Sequence, residues 1–169
     1  MERIMVIGCC GSGKTTLSRK LGEKLGLPVV HLDRIFWSPG HWEHLPPGEF
    51  DQRLMAETAK ERWVMDGNYN RTLNLRLERA DAVVYLDFTR WQCLWGWMGR
   101  VIKNWGNARP DMAEGCAEWF DPEMAAFIWK FNPTNRKRYL EMLHNWQGGQ
   151  VYILRNRRDV KRFLKQDFV

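Results

Sequence analysis

The residues with the plainest chemical content stand near the start of the chain: Gly8-Cys9-Cys10-Gly11-Ser12-Gly13-Lys14-Thr15. They match G-x-x-x-x-G-K-[ST], with a short apolar run before and helical sequence after, the context in which this motif binds phosphate. Glycines let the backbone bend until several N–H groups converge on phosphate oxygens. The helix that follows adds partial positive charge at its N-terminus. In such a loop Lys14 holds the β- and γ-phosphates and the Thr15 hydroxyl ligates Mg²⁺. Gly8, Gly11, Ser12, Gly13, Lys14, Thr15 and Thr16 are therefore the expected nucleotide-binding set, with ATP and Mg²⁺ as cofactors. Cys9 and Cys10 fill variable positions of the loop.

Three carboxylates each close an apolar run: Asp33, Asp66 and Asp87. In an open parallel sheet the carboxyl ends of the strands line the ligand crevice. Asp87 follows Val83-Val84-Tyr85-Leu86 and is the expected second metal residue beside Thr15. Asp33 is a candidate for orienting or deprotonating an acceptor hydroxyl; capping a turn is the other reading. Trp37 and Trp42, in the loop after Asp33, are candidates for stacking an acceptor ring. Four arginines, Arg100, Arg109, Arg136 and Arg138, are candidates for closing over the transferring phosphoryl group. Arg155 and Arg157 follow the last apolar run. His41 and His44 lie three apart without a companion ligand, so no zinc-type site is expected.

Positioning these groups takes short strands alternating with helices. Strands are expected at 3–7, 29–32, 63–65, 82–86 and 151–154, and helices after Thr15, carrying Leu17, Leu21 and Leu25 and stopped by Gly26 and Pro28, and at 49–61 and 91–105. Asp121-Pro122 and Asn132-Pro133 read as N-caps followed by proline at the first helical position. Asn156 and Asp159 suit the start of a last helix. In the helix over 91–105, Trp91, Leu94, Trp95, Met98, Ile102 and Trp105 form one apolar stripe, and Trp91, Trp95 and Trp105 are assigned to packing. This alternation implies a parallel sheet covered by helices on both faces.

The 169 residues suit one domain over 1–169, with a Trp-rich helical insertion at about 88–147. No stretch reaches the roughly 20 apolar residues that span a bilayer, and the apolar start is too short for a signal peptide. A cytoplasmic location is expected, as a monomer or homodimer. The four cysteines include no C-x-x-C pair and read as reduced thiols. Lys plus Arg total 26 against 20 Asp plus Glu, a net charge of +6. Residues 1–133 balance (17 − 17 = 0) and residues 134–169 carry the whole excess (9 − 3 = +6). A chain-wide nucleic-acid stripe is thus disfavoured, and a local phosphate-binding surface is preferred.

Taken together, the phosphate loop, His31-Leu32-Asp33, Asp66-Gly67-Asn68-Tyr69, Leu86-Asp87-Phe88-Thr89-Arg90-Trp91 and Arg109-Pro110-Asp111-Met112 resemble the adenylate-kinase-like P-loop proteins, and more closely the family of DNA topology modulation proteins. The resemblance implies a three-layer α/β P-loop NTPase fold with five parallel strands ordered 2-3-1-4-5 and a lid inserted between strands four and five. Arg100 falls where adenylate kinases place a lid arginine against ATP, and Arg136 and Arg138 where a second lid pair is expected. Arg155 lies where this fold packs the base of ATP. Asp66-Gly67 matches the start of the acceptor loop, but Asn68-Tyr69-Asn70-Arg71 stands where Phe-Pro-Arg would follow. The implied activity is transfer of the γ-phosphoryl of MgATP to a nucleotide, nucleoside or small hydroxyl compound. The alternative is a nucleotide-gated DNA-binding protein using its basic C-terminal block.

Overall fold

The computed structural model describes residues 1–38 and 43–168. His41 and Trp42 lie outside the described residues. Five strands, β1 (Arg3–Gly8), β2 (Val29–His31), β3 (Trp63–Asp66), β4 (Ala82–Leu86) and β5 (Gln150–Leu154), form one parallel sheet in the order β2-β3-β1-β4-β5. Ile4 to Gly8, Trp63 to Asp66 and Ala82 to Leu86 are buried throughout. That is why these strands read as continuous apolar runs rather than alternating ones.

Register decides where the chemistry gathers. His31 and Val6 both pair with Asp66, Gly8 pairs with Leu86, and Leu86 pairs with Leu154. The carboxyl ends of all five strands therefore finish side by side, as a ligand crevice requires. Helix α1 (Lys14–Leu25) leaves β1 through the glycine loop and stops at Gly26, whose φ of 63° is left-handed. Helices α2 (Leu32–Phe36), α3 (Pro47–Thr58) and α4 (Leu73–Leu77) surround β2 and β3 in sequence. Asp33 thus sits in the first turn of a short helix, not in an open loop.

Between β4 and β5 run α5 (Arg90–Asn104), the irregular segment 105–121, α6 (Pro122–Phe131) and α7 (Lys137–Asn145). Thr89 caps α5 reciprocally with Gln92, and Asp121 caps α6 by accepting from Glu123 N–H. Asn132-Pro133 does not start a new helix. It lies in a π-helical turn, Asn132–Arg136, that carries α6 into α7. Pro133 cannot donate an i→i−4 bond, so the helix widens for one turn instead of breaking. The chain closes with β5 and α8 (Arg157–Leu164), capped by Asn156 accepting from the Arg158 and Asp159 amides.

Helix α5 turns a different face inward from the one its hydrophobic pattern suggests. Cys93, Trp97 and Val101 are buried, while Trp91, Trp95, Ile102 and Trp105 are exposed, Trp95 at 75% and Ile102 at 71%. The reason is steric. A Cβ on Gly96 would strike the Gly11 carbonyl, and one on Gly11 would strike the Cys93 carbonyl. The helix thus docks on the glycine loop through the face where Gly96 lets the two backbones meet, and the wider tryptophan stripe points away.

Candidate active site

The loop reaches α1 through Gly11 (φ 77°) and Gly13 (φ 95°), both in backbone regions costly for any other residue. Gly13 is the N-cap of α1, which has no side-chain cap and no acid in its first turn. The first amides of that helix are therefore left for an anion. Lys14 Nζ folds back to the Cys9 carbonyl at 3.1 Å. Ser12 Oγ is buried with no hydrogen-bond partner among the described residues. Asn68 clamps the start of the loop, its Oδ1 accepting from Gly8 N–H (3.0 Å) and its Nδ2 donating to Gly8 O (2.9 Å).

Beside the loop, Cys9 donates its S–H to Cys93, and with burial this holds the Cys9 thiol well above its usual range. The same bond, with Lys14 and Arg157 nearby, pulls the Cys93 thiol down. Arg157 stands over Gly13, close to where a Cβ there would lie, and stacks 5.2 Å from the Phe88 ring centre. It is Arg157, then, that covers the phosphate loop; Arg155 is mostly exposed, with Nε 3.8 Å from Asp87. The two stand two positions apart at a strand-to-helix turn, which spacing alone does not resolve.

The metal-type oxygens pair differently from the sequence expectation. Thr15 Oγ1 meets Asp111 Oδ2 at 3.4 Å. Asp111 is buried and also accepts from Arg109 (2.6 Å) and Arg19 (3.5 Å). Asp87 is held by a bidentate pair with Arg136, at 2.7 and 2.9 Å, which raises the Arg136 pKa. A hydroxyl with one carboxylate is a hard-oxygen set that suits Mg²⁺, which keeps few protein ligands beside phosphate oxygens. No cluster of three or more His, Cys, Asp or Glu able to hold a metal ion occurs among the described residues.

Arg100 and Arg109 of the insertion are already paired. Arg100 donates to Glu118 (2.8 and 3.1 Å) and approaches Cys10 Sγ at 3.5 Å. Burial works against the Arg100 charge, but Cys10 and Glu118 outweigh it and push its pKa up. Arg109 joins Asp111 to Glu118 at 2.6 and 2.7 Å. Arg138 is exposed on α7. Segment 109–118 therefore lies against the phosphate loop. The same segment reaches the other side of the crevice: Met112, Ala113 and Cys116 pack with Trp37, and Cys116 approaches the Ser38 carbonyl at 3.9 Å.

On that side, Asp33 Oδ1 accepts from the Tyr69 hydroxyl at 2.6 Å. Burial first, then Asp33, raises the Tyr69 pKa, so this proton stays on the tyrosine. Tyr69 adopts a left-handed conformation (φ 36°). Phe36 packs on Trp37, His44, Phe50 and Tyr69 with ring centres 4.8–5.6 Å apart. Asp66 pairs with His31 Nδ1 at 3.0 Å. Asn68 and Arg71, which stand where Phe-Pro-Arg would follow, turn to other partners: Asn68 to Gly8, and Arg71 to Asp51 and the Pro47 carbonyl. The acceptor loop is held from below by the fully buried Arg76, which donates to the carbonyls of Gly67 (2.8 Å), Asn68 and Tyr69 (3.3 Å). No sequence pattern marks Arg76, because its partners are main-chain atoms.

A parallel sheet of this order with a glycine loop at the end of β1 defines the P-loop kinase fold. Solved structures share it: shikimate kinase from Acinetobacter baumannii in complex with shikimate (TM-score 0.56, 16% identity, 98% of this chain and 89% of that one) and shikimate kinase from Bacteroides thetaiotaomicron (TM-score 0.54, 16% identity, 97% and 94%). A protein of Chloroflexus aurantiacus described as a kinase gives TM-score 0.55 at 15% identity, over 96% and 94%. In sequence, the chain is 29% identical to a shikimate kinase of Enterococcus faecalis over 126 residues, 65% of this chain and 71% of that enzyme. No protein-family model matches. These similarities support an ATP-dependent P-loop phosphotransferase and lend nothing to topology modulation. No helix among the described residues is long and apolar enough to cross a membrane.

Proposed function

We propose that the chain transfers the γ-phosphoryl group of MgATP to a hydroxyl of a small, uncharged, ring-bearing acceptor such as a nucleoside or cyclic polyol. The observation that carries this reading is segment 109–118, which touches the phosphate loop at Thr15 and the acceptor side at Trp37 and so spans both substrates. An enclosed crevice keeps water from competing for the phosphoryl group.

The acceptor hydroxyl sits at Asp33. Tyr69 occupies Oδ1 and leaves Oδ2 to accept the hydroxyl proton. The acceptor oxygen bonds to the γ-phosphorus as the bridging bond to ADP breaks, and the proton passes to Asp33. The aromatic group around Phe36 supplies a flat, neutral wall for the acceptor ring. Arg71 and Arg76 are committed to Asp51 and to main-chain carbonyls, which withholds these two cations from a phosphate or carboxylate on the acceptor. Gly8 to Thr16 hold the triphosphate, with Lys14 swinging from the Cys9 carbonyl to the β- and γ-phosphates. Thr15 with Asp111 or Asp87 would hold Mg²⁺, which would supply neutralisation of phosphate charge. Asp87 takes that part only by releasing Arg136, which then joins Arg100 and Arg138 toward the transferring group. Arg155, beside Asp87, flanks the nucleotide together with Arg157.

Lys14→Ala tests the nucleotide half of this reading. The variant should keep its circular dichroism spectrum and lose ATP turnover by about 10³-fold. Turnover at the wild-type rate in a folded variant contradicts the mechanism.

A further inference from the structure

The stripe that α5 leaves uncovered has the spacing of a helix-pairing seam. Trp91, Trp95, the half-buried Met98, Ile102 and the C-cap residue Trp105 follow one another at intervals of four, three, four and three residues, the alternation of a helix packed on a helix. At each end a further tryptophan extends it: Trp129 of α6 lies 5.1 Å from Trp91, and Trp119 lies 5.4 Å from Trp105. From the fractional exposures of these side chains and about 150–250 Å² per aromatic residue, the patch presents roughly 700 Å² of apolar surface. That exceeds the ~300–600 Å² of the largest patch on a typical monomer and approaches the ~800 Å² that each partner contributes to a stable interface.

We propose that this face joins two copies of the chain through an antiparallel α5–α5′ contact about a two-fold axis near Met98. Trp91 and Trp105 stand seven residues to either side of Met98, and Trp95 and Ile102 three and four, so a two-fold near Met98 sets Trp91 of one copy against Trp105 of the other and brings Trp95 near Ile102. The charges at its ends agree with that direction. Contacts of Trp129 with Trp91 and of Phe120 with Trp97 show that α6 runs back along α5. The Trp91 end therefore carries Arg90, stacked 4.6 Å from the Trp129 ring centre, and Lys130. The opposite end carries the exposed acids Asp121 and Glu123 beside the exposed Lys103, a net negative rim. An antiparallel crossing places each basic end on the partner's acidic end; a parallel one sets like charges together. The rim acids also argue against an anionic membrane as occupant, where a uniformly basic rim is favoured.

The full chain is examined by light scattering coupled to size exclusion at micromolar concentration. Wild type is expected at twice the chain mass. Trp95→Glu, with a side chain that touches solvent and not the nucleotide loop, should halve the mass while leaving the circular dichroism spectrum and ATP turnover unchanged. Met98→Cys should form an intermolecular disulfide under mild oxidation, since a two-fold axis at that point brings the residue to its own copy. A wild-type monomer overturns the proposal. So does a dimer that survives Trp95→Glu, or a monomer that binds phosphatidylserine vesicles through the same tryptophans.

Discussion

Replacing Arg76 by methionine sets two buried effects against each other. Arg76 is fully buried, and desolvation lowers its pKa from 12.5 to about 10. That shift corresponds to roughly 3 kcal/mol of penalty for keeping the charge inside, which methionine removes. Against it, the carbonyls of Gly67 and Asn68 in the loop after β3 lose this donor, while that of Tyr69 keeps the Thr72 amide and hydroxyl. At about 1–3 kcal/mol for each acceptor left unpaired, the loss amounts to roughly 2–6 kcal/mol. The loss wins narrowly, and Arg76→Met should be destabilised by about 1 kcal/mol. Function should suffer beyond stability. Asn68 clamps Gly8 and Tyr69 positions Asp33, so a loosened loop disturbs both substrates. Urea denaturation gives the first quantity. Nucleotide affinity in the folded variant gives the second, with an expected loss of about tenfold or more. A variant with an undiminished urea midpoint would refute the reasoning, because it would show that relief of desolvation outweighs the two carbonyls.

Other consequences concern the helix contact and pH. Gly96→Ala should lower both thermal stability and nucleotide affinity, because its Cβ would meet the Gly11 carbonyl. Gly99→Ala, on the same helix with open space around it, should raise stability by about 0.5–1 kcal/mol; equal behaviour of the two variants in thermal melts would disprove the close contact. Burial raises the pKa of Tyr69, Tyr85 and Tyr139, and the bond to Cys93 with burial raises that of Cys9. The native state therefore keeps protons that the unfolded chain loses above 9.0 for cysteine and 10.0 for tyrosine. Their stabilising contribution is complete below those values and falls above them, by about 1.4 kcal/mol per pH unit for each group. Arg76 works in the opposite sense above about 10. Tyr85→Phe should make the alkaline loss shallower in urea titrations, and an unchanged slope would remove Tyr85 from this account.

The sheet was readable because its strands are short apolar runs closed by Asp33, Asp66 and Asp87, and the glycine loop marks its own place between a strand and a helix. The parts that stayed hidden depend on contacts between distant segments. Helix α5 carries two apolar stripes, and its local pattern favours the tryptophan-rich one. The choice of the Cys93–Trp97–Val101 face is made by Gly11 against Gly96. Asn132-Pro133 has the form of a helix start, yet the helix passes through it with a π-turn that delivers Arg136 to Asp87. Asp111 lies in a segment with no periodicity, so nothing local announces that it meets Thr15. Asp33 was legible as a carboxylate at the end of an apolar run, and its surroundings were not, since Asn68, Arg71 and Arg76 make contacts that no spacing rule describes.

The central claim is that the crevice between Thr15 and Asp33 moves phosphate from ATP onto a neutral hydroxyl compound. Phosphorus nuclear magnetic resonance of the wild-type chain with MgATP and a panel of nucleosides, cyclic polyols, shikimate and nucleoside monophosphates tests it most directly. The account expects ADP and a new phosphomonoester in equal amounts from a neutral acceptor, with the signal lost in Asp33→Asn. Transfer confined to shikimate or to nucleoside monophosphates would contradict the neutral-acceptor assignment, and release of inorganic phosphate alone with every acceptor would contradict phosphotransfer itself.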